Sequence, residues 1–169
     1  MCEMTAGIER DTCLNRGGIK SIVVVPLGKV EFTRTNDAIA AIVSQTYPAY
    51  RIKIDINSGS SNDNKEVNRE NWSKKQMQSV MLMVKDDTLV TRQQLDLLTN
   101  GAQIVIVEKN NGLNYVLGLE NGMVGGYEAP TGQNSGDMNG ATITMNGEEA
   151  EIAPEISNSL IANLLAYTS

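Results

Sequence analysis

Residues 76–122 constrain the fold more than any other stretch, because strand, short capped helix, strand, tight turn and strand follow one another without a break. Residues 76–84 alternate with period two: Met77, Ser79, Met81 and Met83 share one face, and Gln78, Val80, Leu82 and Val84 the other. Both faces are largely apolar. Thr91 reads as a helix N-cap, since Gln94 stands three residues on as in a capping box, while Val90 and Leu95 hold the positions of a hydrophobic staple. Asn100-Gly101 ends this helix, whose Leu95 and Leu98 give one apolar stripe to press on a sheet. Gln103-Ile-Val-Ile-Val-Glu108 then reads as a strand, Asn110-Asn111-Gly112 as a turn and Tyr115-Val-Leu-Gly-Leu119 as the returning strand. An Asn-Gly step between two apolar runs is the strongest short-range hairpin signal.

The rest of the chain is arranged around this frame. The first 18 residues have no clean period and read as an extended arm. Residues 20–27 contain Ile-Val-Val-Val, a strand apolar on both faces and therefore central to a sheet or sandwich, closed by Pro26 and Gly28. Ala38, Ile39, Ala41 and Ile42 fit either a short helix capped at Asn36 or a buried strand, and are read as strand or irregular structure. Residues 51–56 alternate sharply, with Ile52, Ile54 and Ile56 facing in, as in a half-solvated strand. Residues 57–75 form a long polar loop in which only Val67 and Trp72 have much to bury, and a connection of that length in a compact domain is functional or disordered. It reads as an interaction loop anchored at Trp72, with a plain surface excursion as the simpler alternative. Five Asn-Gly steps, at Asn100, Asn111, Asn121, Asn139 and Asn146, punctuate short strands, and a second hairpin is expected around residues 139–147. The pattern points to a mainly β fold, an antiparallel β-sandwich or barrel with one short flanking α-helix, a long loop and terminal arms. It divides into the arm at 1–18, the sandwich at 19–155 and a C-terminal docking segment at 156–169. In that last segment Ile156, Leu160, Ile161, Leu164 and Leu165 recur at helical spacing.

Charge and cysteine usage restrict function. No run approaches the roughly 18 apolar residues that span a bilayer. Glu3, Glu9, Arg10 and Asp11 stand where a signal peptide needs its apolar region, so export by that route is not expected. Cys2 and Cys13 alone build neither a disulfide framework nor a four-ligand zinc site. The net charge of -6 is uneven, because beyond Lys109 the charged residues are Glu120, Glu128, Asp137, Glu148, Glu149, Glu151 and Glu155. A polyanion finds no cation there to displace its counterions.

Every catalytic constellation is weak. Histidine, the commonest general base, is absent. The adjacent acids Asp86-Asp87 and Glu148-Glu149 point to opposite faces of a strand and read as solvated residues. Gly122, Gly125 and Gly126 lack the Lys-Ser or Lys-Thr of a phosphate loop. Lys74-Lys75 beside Trp72 is a poor basis for binding single-stranded nucleic acid. No enzyme, cofactor or metal is expected.

Several blocks carry a resemblance. Gly17-Gly18-Ile-Lys20 with its apolar strand, Tyr115-Val-Leu-Gly-Leu-Glu-Asn-Gly122, Thr131-Gly132, Gly136-Asp-Met-Asn-Gly140, Thr142-Ile-Thr144 and Gly147-Glu-Glu149 resemble structural virion proteins of tailed phages that infect Bacteroidetes-type bacteria. The chain looks most like their tail tube (major tail) proteins. The resemblance covers most of the chain, on loose turn and strand signatures. It implies a sandwich or barrel with a helix on its flank, assembled into rings, as a rule hexameric, that stack through a long loop and terminal arms. By this resemblance residues 57–75 are the stacking loop, with Asn57, Ser60, Asn62, Asp63, Lys65, Arg69 and Trp72 as its contacts. Residues 91–100 are then the flanking helix. Glu120, Glu128, Asp137, Glu148, Glu149 and Glu151 are the acids expected to face a channel through which DNA slides. The implied partners are further copies of the chain and other tail proteins, with DNA as cargo and no membrane. The implied location is the virion tail, after assembly in the host cytoplasm. A capsid-decorating head protein, or a cytoplasmic β-barrel binding protein or enzyme, remains as the alternative.

Overall fold

The computed structural model describes residues 17–55, 58–70, 73–86, 88–130 and 140–167. Of the expectations above, nearly all of the N-terminal arm, together with Asn57, Trp72 and Asp137, lies outside the described residues. In chain order the elements are β1 (Ile19–Pro26), β2 (Val30–Thr35), β3 (Ala38–Gln45), β4 (Tyr50–Lys53), β5 (Gly59–Asn68) and β6 (Ser73–Val84). Then follow α1 (Leu89–Thr99), β7 (Gln103–Lys109), β8 (Asn114–Leu117), β9 (Val124–Glu128), β10 (Ala141–Glu149) and α2 (Asn158–Leu165). The fold is mainly β, a sandwich of antiparallel sheets with flanking helices.

β1 and β7 are rich in β-branched residues, which favour extended backbone, and they pair antiparallel at the centre of a sheet ordered β4-β1-β7-β8. Their side chains alternate into two separate cores. Ile22, Val24, Val105 and Val107 meet Val80 and Leu82 of β6, Ile143 and Met145 of β10, and Leu95 and Leu98 of α1. Val23, Val25, Ile104 and Ile106 meet Val30 and Ile39 of the β2–β3 ribbon, and Ile161 and Leu164 of α2. Each fully buried aliphatic side chain contributes roughly 1.5–3 kcal/mol, so this sheet, covered on both faces, anchors the molecule.

Residues 154–156 extend it. Val116 N–H donates to Pro154 O (2.9 Å) and Ile156 N–H to Asn114 O (3.0 Å), while on the far side Ile39 N–H donates to Glu155 O (2.7 Å). The ribbon is thereby joined to the central sheet. The second sheet is ordered β5-β6-β10-β9. The two meet at a corner, where Gln103 and Met123 exchange backbone hydrogen bonds of 2.9 and 2.7 Å just before the chain enters β9. Gly118 is required there: its φ is +66°, and a Cβ would stand 2.6 Å from the Met123 nitrogen.

Three local expectations change and one holds. The helix starts three residues earlier than Thr91, because Thr88 supplies the capping hydroxyl to Thr91 N–H (3.3 Å) and Asp86 accepts from the Thr91 hydroxyl (2.6 Å). The staple does not form, since Val90 is 65% exposed while Leu95 is buried. A second helix, capped by Ser157, docks Ile161 and Leu164 as the spacing of the C-terminal segment suggested. Asn146-Gly147 is no turn but lies inside β10, whose pairing with β6 runs unbroken from Ala141 to Glu149.

The expected long loop is the largest difference. Residues 59–68 are a strand paired with β6 over ten positions, from Gly59 opposite Leu82 to Asn68 opposite Ser73. This strand has almost no apolar residue, so no hydrophobic period marks it. The main-chain ladder to a well-marked neighbour holds it instead.

Candidate functional site

Among the described residues, the second sheet has one covered and one uncovered face. Val80 and Leu82 turn into the core, so the odd-numbered residues of β6, Met77, Ser79, Met81 and Met83, point outward. Register places Ser60, Asn62 and Asn64 of β5 and Thr142, Thr144 and Asn146 of β10 on the same side. The middle of this face therefore bears thioethers, hydroxyls and amides without charge. Charges stand at its two ends. At one, Lys75 contacts Glu148 at 3.3 Å and Glu66 at 3.5 Å. The hydrogen bond and charge of Glu148, then the charge of Glu66, hold the Lys75 ammonium above the ordinary lysine range. At the other end lies Glu128, opposite Thr142.

Both edges of this sheet, β5 and β9, lack a partner strand among the described residues. β9 lies tight against β10, since a Cβ on Gly125 would come within 1.9 Å of Thr144 O. The β5–β6 ladder also outruns the sheet. β10 stops where Glu149 faces Gln76, whereas β5 and β6 continue for three more rungs, to Asn68 and Ser73. A two-stranded overhang results, with Val67 57% exposed on it.

The sequence candidates are scattered by this geometry. Glu128 and Glu148 share the uncovered face, and Glu120 is exposed on the corner turn. Glu149 is corrected: it is 5% exposed, and its carboxylate accepts from the N–H groups of Glu120 (3.2 Å) and Asn121 (2.9 Å). It clamps the corner and presents no charge to a surface. Glu151 pairs with Arg34 at 2.6 Å, away from the uncovered face. The all-acidic C-terminal third is thus partly neutralised by cations of the first half, Lys75 and Arg34, a pairing that one-dimensional charge counting misses. Among the loop candidates, Ser60 and Asn62 lie on the uncovered face, Asp63 and Lys65 on the opposite one, and Arg69 at the exposed hairpin end. Sequence reasoning missed β5 itself; the run from Ser60 to Asn68, free of proline and glycine and nearly as long as its neighbour, was the available signal.

Further polar pins hold this sheet in place. Gln78, 2% exposed, accepts from Gly118 N–H at 2.9 Å and ties the core side of β6 to the corner. The enclosed space beside it, between Gln78, Val116 and Glu149, is about 10 Å³, room for at most one water. The larger clefts open to solvent. Among the described residues no cluster of three or more acid, cysteine or histidine groups is placed to hold a metal ion. Nor is any described helix long and apolar enough to cross a membrane. Comparison of the chain with protein-family models, with curated proteins and with solved structures yields no match.

Proposed function

We propose that this chain is a structural virion protein, the subunit of stacked rings that form the tail tube of a tailed bacteriophage. The observation that carries the reading is the second sheet: among the described residues, four strands with one bare, uncharged middle and two unpaired edges. A long edge strand invites pairing with another chain, and closure of identical copies into a ring removes every edge at once. At about 4.8 Å per strand, each copy contributes a wall about 19 Å wide. Six copies edge to edge give a circumference of about 115 Å and a diameter of about 37 Å before strand tilt widens it, enough to pass a DNA duplex between inward side chains. The uncovered face becomes the wall of that channel. Methionine, serine, threonine and asparagine offer phosphates no cation to condense on, and Lys75 at the rim is paired with two carboxylates. DNA passes as cargo, without sequence-specific contact. The overhanging hairpin projects beyond the wall, where the next ring sits.

Negative-stain electron microscopy of the purified chain tests this directly. Rings with a central hole, or stacked tubes, are expected. A monodisperse monomer, or a trimer that attaches only to phage heads, would sink the reading in favour of a head-decorating protein.

A further inference from the structure

The five Asn-Gly steps, at Asn100, Asn111, Asn121, Asn139 and Asn146, carry a chemistry of their own besides marking turns. The glycine main-chain nitrogen can attack the Cγ carbonyl carbon of the asparagine before it, since no side chain on the glycine hinders the approach. A Cγ–N bond forms, the Cγ–Nδ2 bond breaks, and the amide proton passes through solvent to the departing nitrogen, which leaves as ammonia. Water then opens the resulting cyclic imide at either carbonyl. The products are aspartate and isoaspartate, in which the main chain runs through the former side chain. Water is the one co-reactant, and nothing is oxidised or reduced. The attack needs the peptide between the two residues to swing, so a step held by hydrogen bonds or packing reacts only after local opening.

The fold holds three of these steps, and Asn139 lies outside the described residues. At Asn111 both reacting groups are engaged: its Oδ1 accepts from Leu113 N–H at 3.1 Å, and Gly112 N–H donates to Lys109 O at 3.1 Å. Asn121 donates its side-chain amide to Glu148 O at 2.8 Å, and Gly122 is packed so closely that a Cβ would stand 2.7 Å from Ala102 Cβ. Asn146 lies in β10 between two partner strands, opposite Ser79 of β6 and Val124 of β9.

Asn100 is different. It is the C-cap of α1, and both it and Gly101 are exposed. A Cβ on Gly101 would meet no atom within 4 Å, and Gly101 N–H has no hydrogen-bond partner among the described residues. The Asn100 amide reaches Asp96 Oδ2 only at 3.5 Å, the outer limit of a hydrogen bond. The nucleophile is therefore unengaged, its target is loosely held, and the peptide between them has room to turn.

We infer that Asn100-Gly101 is a modification site, the step at which the folded chain deamidates ahead of the other described Asn-Gly steps. The new carboxylate stands beside Asp96 at the C-terminal end of α1, where the helix dipole is already negative. In isoaspartate, the added main-chain carbon loosens the end of the helix that carries Leu95 and Leu98 into the core. The inference is independent of the ring reading.

Peptide mapping by mass spectrometry tests it, on the full chain aged at mildly alkaline pH and digested under acidic conditions, with fragment ions to place each new acid. Deamidation at Asn100 is expected to run about tenfold faster or more than at Asn111, Asn121 or Asn146. In denaturant, where no step is held, the four rates should converge. Gly101→Ala, which fits the open space at a position without positive φ, should slow the reaction at Asn100 and leave the other three unchanged. Equal rates in the folded chain, or a lead at Asn111, Asn121 or Asn146, would overturn the assignment. So would a lead at Asn100 that persists undiminished in denaturant, because the fold would then not be selecting the site.

Discussion

The two sheets of this molecule are built from the same antiparallel pairing and yet are held by different forces. In the β4-β1-β7-β8 sheet both faces of the central strands are buried, with Ile22, Val23, Val25 and Ile106 wholly inaccessible. In the β5-β6-β10-β9 sheet only one face is covered, and its first strand contributes hydrogen bonds in place of apolar surface. The first sheet is a scaffold whose register is set by burial: a one-residue slip would turn every core residue of one cluster into the other. The second is a surface, open on one side and at both edges among the described residues. Burial on two faces and exposure on one thus fall to different sheets.

That division is breakable by substitution. Ile106→Ala, in the doubly covered sheet, should destabilise the fold by about 2–5 kcal/mol, read from the denaturant midpoint at unchanged slope. Glu149→Ala, at the corner that joins the sheets, leaves the N–H groups of Glu120 and Asn121 without their acceptor and should cost about 1–3 kcal/mol, with the loss of hydrogen-exchange protection confined to the corner. Met81→Ser, on the uncovered face, should change stability by no more than about 0.5 kcal/mol. A cost as large as that of Ile106→Ala would show that this face is packed against something in the isolated chain, and the contrast would fail. The smallest effect belongs to Lys75. Its raised pKa means that the pairing with Glu148 and Glu66 stabilises the fold fully below the ordinary lysine value of about 10.4 and is lost as pH rises through the raised one. The difference in melting temperature between the wild type and Lys75→Met should therefore shrink above that pH; as the ammonium is fully exposed, a change confined to lower pH would contradict the assignment.

The same division explains what was legible in the sequence. β1, β7 and β8 were readable because burial on both faces writes itself as β-branched runs, and the Asn111-Gly112 step marks their hairpin. The alternation of β6 was readable too, including which residues share a face. β5 was not, since a strand held by its ladder alone leaves no apolar period, and Ser60, Asn62 and Asn64 look like a loop. The helix start was displaced from Thr88 to Thr91 because both offer the same hydroxyl, and the choice depends on where Asp86 lies. The clamp at Glu149 was hidden for a related reason: its role arises from two N–H groups that lie 28 and 29 residues earlier in the chain. For the candidate site, Glu128 and Glu148 were placed on one face by the fold, while Glu151 was drawn away by Arg34, a partner that only the tertiary structure supplies.

The short bridge at residues 154–156 has a temporal meaning. The β2–β3 ribbon is tied to the central sheet through Glu155, which pairs with Ala38. These two residues leave the ribosome 117 positions apart (155 minus 38), an interval on the order of ten seconds at usual synthesis rates. Until then the ribbon, though it can pack Val30 and Ile39 on the sheet, lacks its backbone bridge to it, and β8 keeps an open edge. A nascent or prematurely terminated chain therefore lacks the bridge that ties the ribbon to the central sheet and covers the edge of β8.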